Sequence, residues 1–148
     1  MANTFVPQGS LNRVRGSLVF PLFPALNITA PYMSRNFITV TFDEMAFVEQ
    51  FETGTGFVNS PEPYAPAVIV VEILRTQALA NNWFQQIQNT ASIGTVEVHS
   101  DTAAFPSFPV NNASVTKFDP GAFAGKDPVT KLTIRGLTYI NSNMWALS

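Results

Sequence analysis

The chain has 148 residues, of which 46% are hydrophobic and only 12% charged; its net charge is −2 and it contains no cysteine. A domain of that length buries about 70% of the surface its unfolded chain exposes, so no covalent staple is required. The composition excludes disulfides, zinc-thiolate sites and thiol catalysis, and eight Lys and Arg scattered singly exclude a basic patch for tight nucleic-acid binding. The charged fraction lies far below the roughly 25% of an average soluble domain, and thirteen Phe and eleven Pro accompany it. Phe beyond what one core holds tends to sit in interfaces, so the composition favours self-association over a free monomer. The N-terminus lacks an apolar signal core and no apolar run approaches the ~20 residues of a membrane span, so cytoplasmic synthesis and no membrane partner are expected.

Residues 1–15 have little periodicity and read as an N-terminal arm that orders only against something else. A first strand is expected over 16–20, after which Pro21, Pro24 and Pro31 break the chain into extended loop. Residues 37–43 alternate, with Ile38, Val40 and Phe42 on one face and Thr39, Thr41 and Asp43 on the other. The next strand is expected over 45–51, forming a hairpin with 37–43. Residues 52–64, punctuated by Gly54, Gly56, Pro61 and Pro63, then read as a long functional loop.

Residues 66–74 are almost unbrokenly apolar and β-branched, the pattern of a strand buried on both faces. A helix is expected over 76–89, with Thr76 as N-cap and Leu79, Ala80, Trp83, Phe84 and Ile87 on one core-facing stripe. Residues 93–101 return as a strand, with Val96 and Val98 opposite Thr95, Glu97, His99 and Asp101. A Pro- and Phe-bearing connection over 102–112 leads to strands at 113–118 and 129–137, separated by the turn-forming segment 119–128. The expected fold is mainly β, an antiparallel sandwich or barrel-like body with one flanking helix, a terminal arm and long loops.

Signs of chemistry are sparse. His99 is the sole histidine and shares a face with Glu97 and Asp101, but same-face neighbours on a strand lie about 6.6 Å apart and cannot close on one ion. Ser100 would point to the other face, which argues against a Ser-His-Asp triad. Gly54-Thr55-Gly56 lacks the following helix that phosphate binding needs and reads as a hairpin tip. The acidic group Asp43, Glu44, Glu49 and Glu52 could serve acid-base work or form a solvated negative surface, and the surface is the simpler reading. No catalytic, cofactor-binding or metal residue is assigned, and the chain is read as a non-enzyme.

In the order of its features the chain resembles the phage tail tube proteins. The carrying residues are the glycine-bearing loop ETGTGF (52–57), the strand PAVIVVEIL (66–74), the helix TQALANNWFQQIQN (76–89), the strand GTVEVHSD (94–101), NASV (112–115) and LTIRG (132–136). The resemblance implies one tail-tube-like domain over 1–148, related in fold to type VI secretion tube proteins, whose hexameric rings stack into a hollow tail tube of a virion. Its implied partners are further copies of itself, the tail sheath, the baseplate or hub and the tape measure protein, with DNA passing transiently through the channel. It also implies that Asp43, Glu44, Glu49 and Glu52 face that lumen, and that Gly54, Gly56 and Phe57 belong to a loop joining successive rings. The Pro-rich segment 21–31 and the 102–109 connection depart from the pattern and leave open a specialised initiator, baseplate or terminator ring. A carbohydrate-binding or capsid-decorating module, stacking ligands on Tyr32, Tyr64 or Trp145, is the alternative from another class, followed by a small hydrolase.

Overall fold

The computed structural model describes residues 8–12, 14–43, 46–102, 104–105 and 107–145. Six strands form one antiparallel sheet: β1 (Ser17–Val19), β2 (Met33–Phe42), β5 (Tyr64–Leu74), β6 (Ser92–His99), β7 (Ser107–Asp119) and β8 (Val129–Tyr139), in the order β1-β6-β7-β8-β5-β2. The sheet curls into a nearly closed barrel with β1 and β2 as its two edges. Two further strands, β3 (Val48–Glu52) and β4 (Phe57–Pro61), pair only with each other. One helix, α1 (Ala78–Asn89), links β5 to β6, and a single turn, α2 (Ser142–Trp145), follows β8.

Strand β5 is central, and its Val- and Ile-rich sequence suits a pleated, packed position. Its inward residues Ala65, Ala67, Ile69, Val71 and Ile73 are fully buried, whereas the alternating set is only half-covered, so the strand is buried on one face rather than two. The outward set lies between Thr39 and Thr41 of β2 and Lys131, Thr133 and Arg135 of β8, a polar surface that no helix covers. Inward pairs across β5 and β8 run Ile73–Thr130, Val71–Leu132, Ile69–Ile134, Ala67–Gly136 and Ala65–Thr138. The side chains therefore shorten from one end of the barrel to the other.

The wide end is filled by α1 and by residues 20–28. Trp83 is fully buried and meets Phe20 edge-on, with ring centroids 4.8 Å apart. Burying Trp83 and Leu79 contributes about 1.5–3 kcal/mol each or more, and that packing, rather than a cap, holds the helix. Gln77, not Thr76, occupies the N-cap position, and it makes no capping side-chain bond. The proline-rich segment is not a loose loop. It forms 3-10 turns at Pro24–Leu26 and Ala30–Tyr32, buries Leu26 and Ile28, and bonds Ile28 to the outer edge of β1 through Leu18 N–H and C=O (2.9 and 3.0 Å).

A slipped ladder in β6 and an early start of β7 depart from the sequence pattern. In β6 the ladder slips between Ser92 and Val96, where Gly94 takes φ 76°, so Ile93 and Val96 both turn inward although they are three residues apart. Strand β7 begins at Ser107, well before the expected 113, with Pro109 near its start opposite Glu97. Pro109 lies before β8 begins to pair with β7 at Asn111, so on that side it interrupts no ladder.

Candidate assembly surfaces

The narrow end of the barrel carries both features that a partner could use: a projecting hairpin and an open cleft. The hairpin corrects the sequence reading twice. Strand β2 pairs with β5, and β3 with β4, so residues 37–51 do not form a hairpin; instead β3–β4 is nested between two partners that are distant in sequence. Residues 57–61, read as loop, are strand, leaving only 53–56 as the tip, where the Thr53 N–H donates to the Gly56 carbonyl (2.8 Å). Gly54 and Gly56 have open space around them, and Phe57 opens β4 rather than lying in the loop.

The hairpin root is fixed by a side chain the sequence reading missed. Asn141 Nδ2 donates to the carbonyls of Phe47 (3.0 Å) and Glu62 (2.9 Å), bridging both legs from the turn after β8. Asn141 has φ 52°, a left-handed conformation that Asn tolerates better than most residues. No local signal marks it, because its partners lie 94 and 79 residues away. Arg75 plays a comparable part at the wide end: its guanidinium donates to the Pro120 and Asp127 carbonyls and lies 4.9 Å from the centre of the Phe123 ring, organising the 119–128 turn.

The expected acidic group is dispersed. Asp43 is ion-paired and hydrogen-bonded to Arg135 on the outer face of the sheet. Glu49 and Glu52, three apart on a strand, point to opposite faces of the hairpin, and Glu44 lies outside the described residues. The helix stripe is narrower than expected: Leu79, Ala80 and Trp83 are buried and Ile87 packs at the core's margin, but Phe84 is 45% exposed. Phe84 follows Trp83 by one residue, about 100° around the helix, which turns it out of the core and against Phe118 with centroids 5.8 Å apart.

Across the cleft rim, His99 Nε2 lies 3.7 Å from Glu97 Oε2 on the exposed face of β6, and Ser100 Oγ donates to Asp101 Oδ1 (3.3 Å) rather than meeting the imidazole. Among the described residues no group of three or more His, Asp or Glu side chains could hold a metal ion, and no helix is long and apolar enough to cross a membrane. Of the aromatics considered as stacking platforms, Tyr32 packs against the core, Tyr64 is exposed opposite Tyr139, and the Trp145 side chain lies outside the described part. In the arm, residues 1–7 and 13 lie outside the described residues, and Asn12 is tied down by its N–H to the Asp101 carbonyl (3.0 Å).

No protein-family model matches the chain, and no curated protein matches it in sequence. Solved structures do match. One is a chain in the virion of a native gene transfer agent particle, with TM-score 0.56 and 11% identity over 86% of this chain and 95% of that one. Another is a chain in the tail of an empty gene transfer agent particle, refined helically with C6 symmetry, with TM-score 0.58 and 10% identity over 86% and 96% of the two chains. At such identities the likeness is one of fold, and it spans nearly the whole of both chains: the curled antiparallel sheet with its single flanking helix is a fold found in virion and tail particles.

Proposed function

We propose that this chain is a structural subunit of a phage-like virion tail, assembling as hexameric rings that stack into a tube through which DNA passes. The observation that carries the reading is the fold shared, almost end to end, with a chain of a sixfold-symmetric tail. The surface supports it. Every residue from Val48 to Ser60 is exposed, Phe51, Phe57 and Val58 among them, and an isolated two-stranded hairpin is marginal in water, so it gains its order from a partner. In this reading the tip at Gly54, Gly56 and Phe57 joins subunits, and the tail sheath, hub and tape measure protein are the further partners. The protein acts as a conduit and carries out no catalysis.

The test is negative-stain microscopy of the purified chain across a concentration series. Rings with sixfold symmetry, or tubes built from them, are the expected result. A chain that stays monomeric at every concentration, or that forms only dimers or trimers, overturns the reading. Rings that never stack would favour the specialised end ring over the repeated tube.

A further inference from the structure

Charge is segregated along this chain in a way that its small net charge conceals. Residues 1–42 contain three arginines, Arg13, Arg15 and Arg35, and no Asp or Glu; residues 43–72 contain six carboxylates and no Lys or Arg. The first block supplies β1 and β2, the two edges of the curled sheet, and the second supplies the hairpin. Among the described carboxylates of this block, Asp43 meets Arg135 and Glu72 lies 4.0 Å from Lys131. Among the described residues Glu49, Glu52 and Glu62 make no ion pair, and neither do Arg15 and Arg35.

The edges do not meet at the narrow end. Between them lies an open apolar cleft of about 460 Å³, walled by Ile38, Val40 and Phe42 of β2 and by Val98 of β6, with Phe105 and Gly16 at its mouth. The inward side chains of β5 and β8 have shortened to Ala65 and Thr138 at this level, which is why the barrel is not filled here. A second, more polar hollow continues it along β2 past Phe37 to Arg35 and Asn12. Arg35 and His99 line the two hollows, Arg15 adjoins Gly16 at the mouth, and among the described residues Asp101 is the one carboxylate in their walls. The hairpin presents a matching surface. Glu49 and Phe51 of β3 share one face with Val58 and Ser60 across the ladder, a stripe bearing a single carboxylate, and Glu52 lies beside the tip.

We propose that the cleft between β1 and β2 is the receptor for the β3–β4 hairpin of a second copy of this chain, with Phe51 and Val58 entering the apolar hollow, Glu49 on that same face meeting Arg35, and Glu52, on the opposite face beside the tip, meeting Arg15 at the mouth. The proposal rests on the self-assembly reading above and adds the acceptor site and the pairing to it. Donor and acceptor surfaces differ, so the contact is heterologous and repeats from copy to copy instead of exhausting itself in one pair. Two charged blocks of opposite sign on one chain also suppress wrong registers, because hairpin against hairpin, or cleft against cleft, sets like charges together.

A charge exchange tests it, using exposed residues that leave the core untouched. The hairpin variant Glu49→Arg/Glu52→Arg and the cleft variant Arg15→Glu/Arg35→Glu should each raise the concentration needed for assembly by roughly tenfold or more, read by sedimentation velocity and microscopy. Their equimolar mixture should assemble as the native chain does, because each variant then finds its complement only in the other. Because the chain has no cysteine, Phe51→Cys/Val40→Cys gives a second readout: oxidation of the assembled variant should yield a ladder of disulfide-linked copies, and the same oxidation of dilute monomer should not. If the native chain assembles while both charge variants assemble equally well, or the mixture fails to recover and no ladder forms, the hairpin docks elsewhere and only this proposal falls. A native chain that never self-associates overturns the assembly reading and this proposal together.

Discussion

The body of the protein and its β3–β4 hairpin spend the same kinds of residue in opposite ways. In β5, Ile69, Val71 and Ile73 are fully buried by neighbours from the same chain; in β3 and β4, Phe51 is 54% and Phe57 61% exposed although each is as apolar as anything in the core. The body pairs each central strand on both sides, whereas the hairpin meets it at its root, where Asn141 bonds the carbonyls of both legs and the Phe42 and Phe47 rings touch. In the assembly proposed above, apolar area that does not stabilise its own chain is kept for another copy. The comparison therefore separates residues whose loss should unfold the monomer from residues whose loss should leave the monomer intact and its association impaired.

The largest effect belongs to the wide end. Trp83→Ala should cost about 3–5 kcal/mol in urea unfolding, since a fully buried ring is removed and Phe20 loses its edge-on partner. Trp83→Phe should cost under about 1.5 kcal/mol, because the indole N–H makes no hydrogen bond among the described residues and little but volume is lost. Phe84→Ala, at a half-exposed position one residue on, should cost about 0.5–1.5 kcal/mol through its contact with Phe118. Equal losses at Trp83 and Phe84 would show that the stripe is buried as a whole and that the body extends farther than its exposure indicates.

Next in size is Gly136, where β8 passes close beneath β7. A Cβ there would lie 2.5 Å from Val110 Cγ1, 2.8 Å from the Asn111 carbonyl oxygen and 3.1 Å from Ala113 Cα, so backbone as well as side chain must give way. Gly136→Ala should cost about 1–3 kcal/mol, the range of overpacked cores. Gly54→Ala, in open space at the hairpin tip, should leave stability within about 0.5 kcal/mol of the native value. Thermal and urea unfolding of the two variants side by side would expose any hidden packing of the tip, which would appear as a cost at Gly54.

How much of this division could be read from the residues alone follows from the range of the interactions involved. Strand β5, helix α1 and strand β8 carry their own periodicity, and the sequence places them to within a few residues because their partners impose nothing that contradicts it. Strand β4 was invisible: Phe57 and Val58 lie between Gly54, Gly56, Pro61 and Pro63, and turn residues that mark a loop also flank a short exposed ladder. The pairing of β2 with β5 rather than with the strand that follows it is a choice between two antiparallel partners, and local pattern does not distinguish them. Dispersal of the acidic group follows from that choice, since it places Asp43 beside Arg135 and leaves Glu49 on a separate hairpin. Asn141 and Arg75 act on carbonyls far away in sequence, where composition offers no trace. Charge segregation lies in the residue order, yet cations scattered singly do not announce it; it acquires meaning only once the two blocks are seen to form the edges of a cleft and a projecting ladder.

The joint between the two regions should give an intermediate effect. Asn141→Ala removes two hydrogen bonds and forces alanine into a left-handed conformation, and should cost about 1–2 kcal/mol. Asn141→Gly keeps the conformation accessible and loses only the bonds, so the difference between the two variants isolates the backbone term. In both, amide hydrogen exchange should quicken over 46–63 while β5 and β8 keep their protection. Uniform acceleration across the sheet would mean that the root of the hairpin is part of the body's own cooperative unit.

The smallest effect on stability is the sharpest test of the comparison. Replacing residues 48–61 with a tight Asn-Gly turn keeps the carbonyls of Phe47 and Glu62 that Asn141 engages, and keeps the β2–β5 register, whose last pairs are Phe42 with Ala67 and the Asp43 N–H with the Pro66 carbonyl. No buried side chain is removed, because every excised residue up to Ser60 is exposed. Shortening the loop between β2 and β5 also lowers the entropy cost of closing it, slightly, as the logarithm of its length. Unfolding free energy should therefore stay within about 0.5 kcal/mol of the native value, with a smaller dependence on urea because less surface is exposed on unfolding. Ordered assemblies should disappear, while the shortened chain should still accept native hairpins at its intact cleft and so act as a chain stopper when mixed with native protein. A shortened chain that melts far below the native one would show that the hairpin stabilises the body, and one that still forms native-length assemblies would show that the ring is held by other surfaces.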